Sequence, residues 1–255
     1  METKSDIVNN WLPRYTGTAL EEFGEYIILV NFNNYVRMFA EMFGVELKGV
    51  DRAMLNATHD NITIINFGMG SPNAATMMDL LTAIKPKAVL FLGKTGAVKR
   101  NKLGDFILPI AAIRGEGTSN DYMPSEVPAM PAFALQKAIS TTIRDSGYDY
   151  WTGTVYTTNR RVWEHDETFK EYLRKVRCMC IDMETATIFV CGFANKIPAG
   201  ALLLVSDQPM VAEGVKTEKS DAVVTANYSS AHLQIGIDSL KQLQNHGLTV
   251  KHLRF

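Results

Sequence analysis

The sequence has little that would direct the protein to a membrane, to nucleic acid or out of the cell. Its 26 Lys and Arg are balanced by 27 Asp and Glu, for a formal net charge of -1, so no basic surplus attracts a polyanion. No apolar run approaches the roughly 20 residues that span a bilayer, and the N-terminal stretch has no signal-peptide core. We expect a cytoplasmic protein that binds neither nucleic acid nor a membrane.

Cysteine is also scarce. The three cysteines, Cys178, Cys180 and Cys191, are odd in number and wrongly spaced for a zinc site, which argues against a disulfide framework and against a structural metal. We expect reduced, buried thiols. There is no internal repeat, low-complexity tract or clear linker, so the 255 residues with 46% hydrophobic content favour one α/β domain, although two small ones would also fit the length.

Apolar runs of strand length alternate with helical patterns. The predicted strands are residues 26–31, 62–67, 88–93, 106–113, 153–158 and 201–206. Ser71 and Pro72 predict the start of a helix that ends near Lys85. Further helices are predicted at 131–145, 166–176, 184–195 and 221–244. This order predicts right-handed crossovers and a largely parallel sheet, with the long irregular stretch 114–131 as an active-site or subunit-contact loop.

Ligands of open α/β sheets bind beyond the carboxyl ends of the strands. Two glycine-rich stretches follow predicted strands there. "GMGSPN" (68–73) leads into a helix whose free N–H groups could take an anion or a ribose hydroxyl, although a tight turn with a serine cap explains it equally well. "LGKTGAV" (92–98) is a Gly-x-x-Gly turn that matches neither a Walker loop nor a dinucleotide fingerprint. Its Lys94 could still meet an anion.

Acidic residues stand at two other strand ends. Asp182 and Glu184 lie at a strand-to-helix junction, where an acid can also serve simply as an N-terminal helix charge. Asp207 follows a buried strand, where it could either cap a turn or act as a catalytic acid. Two separated carboxylates, one binding a sugar hydroxyl and one donating a proton, suit the departure of a leaving group from a sugar.

These residues carry a family resemblance. "GMG", "GKTGAV", "DMETA" and "VSD" follow one another as in the nucleoside phosphorylase and nucleosidase family, over roughly residues 26–245. Longer stretches, "TGTVYTTNRRVWE", "IDMETATI", "LLLVSDQP" and "SSAHLQIGI", resemble the catalytic domain of the AMP nucleosidases, which hydrolyse AMP to adenine and ribose 5-phosphate. The resemblance implies a single-domain, three-layer α/β/α fold with a central mixed, mostly parallel sheet. It also implies a catalytic domain at 26–255 behind an N-terminal extension at 1–25.

The resemblance implies roles for individual residues. Glu184 would accept from the ribose hydroxyls, and Asp207 would assist protonation of purine N7. Trp163 or Val162 would pack against adenine, although a tryptophan there could equally be core. The expected site comprises the catalytic Asp207 and Glu184 and the substrate-binding Asn33, Arg52, Gly70, Lys94, Thr95, Gly96, Thr158, Arg160, Arg161, Trp163, Met183 and Ser206. No cofactor and no metal is expected.

The chain departs from its relatives where they hold the nucleophile. Tyr35, Phe91 and Lys94 align with the two arginines and the serine that hold free phosphate in the phosphorylases. A phosphate dianion needs several donors or charges to offset its desolvation, so we expect water to attack instead. The short nucleosidases activate water with a glutamate after the first strand, where this chain has only asparagines, in "NFNNY" (31–35). The group that activates water is therefore unassigned.

A 5′-phosphate on the substrate would require cations, and Lys94, Arg160 and Arg161 are candidates. Lys94 would meet either this phosphate or the attacking water. Arg52 resembles a position through which a neighbouring subunit reaches the phosphate in hexameric relatives, which implies a homo-oligomer, a hexamer or trimer of dimers. Only about 25 residues precede the first strand, so the extra N-terminal regulatory domain of long AMP nucleosidases is not expected.

The expected function is hydrolysis of AMP, within purine nucleotide salvage. The alternatives are a nucleosidase for unphosphorylated purine nucleosides, of the methylthioadenosine or S-adenosylhomocysteine type, and a purine nucleoside phosphorylase. A purine-nucleotide-binding protein without activity is the alternative from another class. The presence of both Glu184 and Asp207 argues against it, because a binder needs no proton donor.

Overall fold

The computed structural model describes residues 2–245. Its strands are Tyr26–Val30 (β1), Asn56–His59 (β2), Ile62–Asn66 (β3), Ala88–Ala97 (β4), Phe106–Gly115 (β5), Tyr150–Thr158 (β6), Cys180–Asp182 (β7) and Ala199–Asp207 (β8). Its helices are Lys4–Thr16 (α1), Asn33–Phe43 (α2), Ser71–Leu80 (α3), Phe133–Asp145 (α4), Glu167–Lys175 (α5), Thr185–Ala194 (α6) and Glu218–Asn245 (α7).

The eight strands form one mixed sheet in the order β2-β3-β1-β4-β7-β6-β5-β8, with an additional pairing of β4 with β8. Most neighbours run parallel, whereas β2–β3, β4–β7 and β5–β8 are antiparallel. Because β8 pairs with both β5 and β4, the last five strands of this order close into a ring. The predicted mixed, mostly parallel sheet is confirmed, but the sequence did not indicate that five of its strands form a closed ring.

Helices cover both faces of the sheet, which explains why its strands are continuously apolar. In β1, Ile27 and Leu29 belong to a core cluster with residues of α1, α3 and α6. The alternate residues Ile28 and Val30 belong to a second cluster with residues of α2, α4 and α7. The structure is therefore a three-layer α/β/α domain, as expected.

The N-terminal helix α1 joins this core. Its Val8 and Leu12 are buried in the same cluster as α3, and Lys4 Nζ lies 2.7 Å from Asp79 Oδ1. Asp79 Oδ2 also accepts a hydrogen bond of 2.6 Å from the hydroxyl of Tyr122. The residues before β1 are thus tied to α3 and to the stretch 114–131.

The stretch 114–131 is held together by hydrogen bonds from Arg114. Its guanidinium donates to Ser119 Oγ at 2.8 Å and to the carbonyl oxygens of Met123 and Val127, each at 2.8 Å. None of these residues lines the cavity described below. The expectation of an active-site loop is therefore wrong for this cavity, and the alternative of a subunit contact stays a prediction.

The largest local correction concerns "LGKTGAV". The sequence predicts a turn after residue 93, but β4 continues to Ala97. Lys94 pairs with Leu204 of β8, and the register shifts between Thr95 and Gly96, where a bulge forms. Gly93 allows this pairing because a Cβ there would lie 2.6 Å from the Phe91 ring. The glycines therefore serve strand packing and a bulge, rather than a turn.

Four elements, α1, α2, β2 and β7, were not predicted. The ends of the predicted helices lie within three residues of those observed, except that α3 ends at Leu80 and a 3₁₀ turn at Leu81–Ala83 follows it, where the sequence predicts helix to near Lys85. Each of the missed strands has only three or four residues, too few to show a period in the sequence. In the part of the chain that the structure describes, no helix combines the length and apolar character needed to cross a bilayer.

Candidate active site

A cavity of about 250 Å³ lies at the carboxyl ends of β1, β4, β6, β7 and β8. Its wall consists of Asn31, Phe32, Met69, Lys94, Thr95, Gly96, Thr158, Arg160, Arg161, Trp163, Glu164, Ile181, Asp182, Met183, Glu184, Ser206, Asp207, Lys216 and Asp221. The location is the one expected for an α/β sheet. Eleven of these side chains or backbones belong to the predicted site, from Lys94 through Asp207.

Glu184 is held by the glycine turn that follows β3. Its Oε1 accepts from the Gly70 N–H at 2.6 Å, and its Oε2 accepts from the Met183 N–H at 3.2 Å. Gly70 has φ +92°, a conformation that favours glycine. Ser71 Oγ donates to the Met183 carbonyl at 2.7 Å and joins the two segments. A carboxylate has about four acceptor sites, so Glu184 keeps capacity for the hydroxyls of a sugar.

A second buried carboxylate lies behind Glu184. Asp182 accepts from Thr157 Oγ1 at 2.7 Å and from the Thr185 N–H at 2.9 Å. Burial raises the pKa of Glu184, and the nearby charge of Asp182 raises it further. Burial likewise raises the pKa of Asp182. The pair by itself therefore resists holding two negative charges, and a positive charge developing on a bound sugar would favour ionisation of both carboxyls.

Asp207 is a largely buried carboxyl whose surroundings favour its protonated form more than water does. Burial raises the pKa of Asp207, while the Ser206 hydrogen bond and the charges of Lys216 and Arg161 act to lower it. Ser206 Oγ donates to Asp207 Oδ1 at 2.6 Å. A Cβ at Gly96 would lie 3.2 Å from Asp207 Oδ2, so the bulge in β4 leaves room for this carboxyl. A raised pKa favours the protonated form that a proton donor needs.

Lys94 is an almost buried cation whose charge is balanced inside the protein. Its side chain is 4% exposed, and its Nζ lies 2.7 Å from both Asp221 Oδ1 and Thr225 Oγ1. Burial lowers the pKa of Lys94, and the contact with Asp221 opposes that effect. Lys216 Nζ lies 3.0 Å from the same Asp221 oxygen. Both ammonium groups stand over the Phe32 ring, at 4.8 and 5.2 Å.

The segment after β6 forms the opposite wall. Trp163 is 5% exposed and meets Phe169 edge-on at 5.5 Å, so it is both core and cavity wall, whereas Val162 is 70% exposed. Arg161 Nη1 donates to Glu164 Oε1 at 3.2 Å. Arg160 Nη2 donates to Asp166 at 2.7 Å. The arginine side chains are about half exposed, so these cations stand at the cavity mouth.

Three predicted residues lie outside the cavity wall. Gly70 lies directly behind it, bonded to Glu184. Asn33 begins α2 and accepts from Asn66 Nδ2 at 2.6 Å, and its neighbours Asn31 and Phe32 line the wall instead. Arg52 is exposed and is not part of the wall. Its contact with a neighbouring subunit stays a prediction.

Sequence reasoning missed several lining residues, of which Asp182, Glu164, Lys216 and Asp221 carry charge. Asp182 and Glu164 belong to the motifs "IDMETATI" and "TGTVYTTNRRVWE". Their positions in the sequence, close to Glu184 and Trp163 respectively, could have indicated that they line the site. Lys216 and Asp221 precede or begin the last helix, far along the chain from Lys94. No spacing rule in the sequence connects them to that residue.

The other two positions aligned with a phosphate site hold buried aromatics. Tyr35 and Phe91 are fully buried, and neither lines the cavity. The Tyr35 hydroxyl lies 2.9 Å from His232 Nδ1, and His232 Nε2 lies 2.9 Å from the Leu202 carbonyl oxygen. Burial lowers the pKa of His232 to about 4, so this group adds no cation at neutral pH. Among residues 2–245, no cluster of His, Cys, Asp or Glu could hold a metal ion.

The chain is similar to several known proteins. The crystal structure of AMP nucleosidase from Bacteroides thetaiotaomicron VPI-5482 shares 56% identity, with a TM-score of 0.86, over 96% of this chain and 100% of that one. AMP nucleosidase of Escherichia coli K12 is 28% identical over 92% of this chain, which spans 58% of that relative's length. Uridine phosphorylase from Vibrio fischeri ES114, at 24% identity and a TM-score of 0.77, shares the fold.

A family model describes most of the chain. The model of the phosphorylase superfamily matches residues 25–238. That range contains the whole cavity wall, from Asn31 to Asp221, and all eight strands of the sheet, with every helix given above except α1 and the end of α7. The chain belongs to the phosphorylase superfamily.

Proposed function

We propose that the chain hydrolyses the N-glycosidic bond of AMP, releasing adenine and ribose 5-phosphate. The observation that carries the proposal concerns the site at which phosphorylases of the resembled family hold phosphate, because this chain has different side chains there. Lys94 is neutralised there by Asp221 at 2.7 Å, and the two aligned aromatics are buried away from the cavity. A phosphate dianion would meet two ammonium groups, Lys94 and Lys216, that already share the Asp221 carboxylate, in place of the two arginines and the serine of the phosphorylases, which favours water as the nucleophile.

Asp207 is the proposed acid. Adenine leaves poorly as an anion, and a proton on N7 lets it depart as a neutral molecule. The carboxyl of Asp207 borders the cavity, and burial raises its pKa, so it is poised to hold this proton. General acid catalysis of this kind typically contributes about 10² to 10⁴-fold in rate.

Glu184 is the proposed partner of the ribose. Its carboxylate is oriented by the backbone N–H groups of Gly70 and Met183, so it needs no reorganisation when the substrate binds. Hydrogen bonds from the ribose hydroxyls would strengthen as positive charge grows on the sugar. Trp163 and the segment around Thr158 would wall the base, and Thr95, Gly96 and Ser206 would border the sugar and base.

The 5′-phosphate calls for cations at the cavity mouth. Lys216, Arg160 and Arg161 line the cavity with partly exposed side chains. We assign the phosphate to this group, with Lys94 deeper in the cavity beside the nucleophile. The substrate is thus a purine nucleotide. A cytoplasmic homo-oligomer in which Arg52 of a neighbour completes the site is part of the same proposal.

Product analysis tests the proposal. AMP, adenosine and methylthioadenosine are each incubated with the protein, with and without inorganic phosphate, and the products are separated by chromatography. Release of adenine and ribose 5-phosphate from AMP without added phosphate supports AMP hydrolysis. Release from the unphosphorylated nucleosides alone would point to a nucleosidase of the methylthioadenosine type, and a strict requirement for phosphate would point to a phosphorylase. Binding of AMP without products would leave a nucleotide-binding protein.

A further inference from the structure

The proposed hydrolysis leaves one role unfilled, because no acid follows β1 to receive the proton of the attacking water. Asn31 occupies that strand end, and its Nδ2 donates to the Gly68 carbonyl at 2.8 Å. An amide cannot take up a proton at neutral pH. A group elsewhere in the cavity wall is therefore needed if water is to be assisted at all.

Five carboxylates line the cavity, and they differ in which of their oxygens already accept hydrogen bonds. Each oxygen of Glu164 accepts a bond, from Arg161 and from the Trp163 N–H. Both oxygens of Asp182 accept bonds, from Thr157 and from Thr185. These two are therefore engaged inside the protein, with every oxygen already serving a neighbouring side chain or backbone N–H.

The remaining three carboxylates are Glu184, Asp207 and Asp221. Glu184 accepts a backbone N–H on each oxygen and is assigned to the ribose. Asp207 is assigned to the purine, as the acid that protonates N7. Within residues 2–245, the contacts of the Asp221 carboxylate with Lys94 and Lys216 both fall on Oδ1. Asp221 Oδ2 is thereby left as an acceptor on the cavity wall.

We propose that Asp221 is the group that orients the attacking water and accepts its proton. This inference rests on the proposed hydrolysis and completes it. Asp221 lies in the first turn of α7 and reaches the cavity beside Lys94 of β4. It thus occupies, from the other end of the chain, the place where the resembled phosphorylases hold their nucleophile.

The charges around Asp221 suit an acceptor that stays ionised. Burial would raise the pKa of Asp221, but the Lys94 and Lys216 ammonium groups outweigh it and hold that pKa below its usual value. Burial raises the pKa of Asp207 on the other side of the cavity. Two carboxyls whose environments push their pKa values apart are the expected arrangement for a base and an acid.

The proposed step balances. The C1′–N9 bond breaks and its electron pair goes to the purine, while Asp207 gives a proton to N7. The water oxygen bonds to C1′, and its proton passes to Oδ2 of Asp221. Asp221 then releases that proton to solvent and Asp207 regains one, so that AMP and water become neutral adenine and ribose 5-phosphate.

The test compares Asp221→Asn, which keeps the shape of the side chain, with the control Glu218→Gln. Glu218 is exposed in the same helical turn, outside the cavity wall, so its substitution removes the same charge without touching the site. We expect Asp221→Asn to lower kcat for AMP by about 100-fold or more, with a much smaller change in KM. Glu218→Gln should keep the wild-type kcat.

A third variant separates a proton acceptor from a residue that only holds Lys94. Added formate, a small carboxylate, should restore part of the kcat of Asp221→Ala and leave the wild type unaffected. A kcat of Asp221→Asn within about threefold of wild type, or a loss confined to KM without rescue by formate, would overturn the inference. If the wild type itself releases no adenine from AMP, the proposed function fails instead.

Discussion

Replacement of Asp207 by Asn tests the proposed acid most directly. The amide keeps the size of the carboxyl, can still accept the 2.6 Å hydrogen bond from Ser206, and can still donate a hydrogen bond to N7. It cannot transfer a proton. Binding of AMP should therefore change little, whereas the chemical step loses its acid.

The expected loss follows from what Asp207 supplies. Removal of general acid catalysis typically costs about 10² to 10⁴-fold, or roughly 3 to 5 kcal/mol at 1.36 kcal/mol per tenfold change. The loss should appear in kcat, with KM changed by less than about threefold, because the interaction acts in the transition state. Glu184 and the cations of the cavity mouth are untouched and should sustain the residual rate.

The pH dependence gives the same role a second signature. Burial raises the pKa of Asp207, and a general acid works only while it holds its proton. Activity that depends on Asp207 is therefore present below the raised pKa and is lost as the pH rises through it. Asp207→Asn should remove this alkaline limb from the kcat profile of the remaining activity.

Adenine release from AMP, followed by chromatography over a range of substrate concentrations and pH values, measures all three quantities. Asp238→Asn is the control, because Asp238 lies on α7, bonded to Gln234 and outside the cavity wall. A kcat for Asp207→Asn within about threefold of wild type, or an unchanged alkaline limb, would refute the assignment of Asp207 as the acid.

Three further substitutions have definite expected outcomes. Tyr35→Phe removes the hydroxyl that contacts His232. It should lower the free energy of unfolding by about 1 to 3 kcal/mol, measured by denaturant titration, while kcat for AMP stays unchanged. A loss of activity in the folded variant would show that Tyr35 belongs to the active site. Arg161→Met should raise KM for AMP about tenfold or more, the effect of losing a charged hydrogen bond, and change KM for adenosine much less. Because the Arg161 charge also lowers the pKa of Asp207, both substrates can share a change in kcat, but equal effects on the two KM values would exclude a phosphate contact. Gly96→Ala places a Cβ 3.2 Å from Asp207 Oδ2 and 3.0 Å from Pro209. Its main effect should be a lower kcat, with a smaller change in KM. Wild-type kinetics in this variant would show that the bulge does not position Asp207.

The local sequence carried much of the fold. Six strands and five helices were predicted near their observed places because their apolar runs and the Ser71-Pro72 start are local signals. The strand β4 shows the limit of such signals. Its glycines predict a turn, yet pairing with β8 and β7 carries the strand on to Ala97, since backbone hydrogen bonds to distant strands override a local preference.

The sequence by itself determined the motifs that border the cavity, because Glu184, Asp207 and Trp163 each stand in a contiguous stretch with a recognisable pattern. Only the tertiary structure decided what surrounds them. The contact of Lys94 with Asp221 joins residues 127 positions apart, and the raised pKa of Asp207 comes from burial by several elements. Charge pairing and desolvation depend on distances in space, which no local pattern of residues encodes.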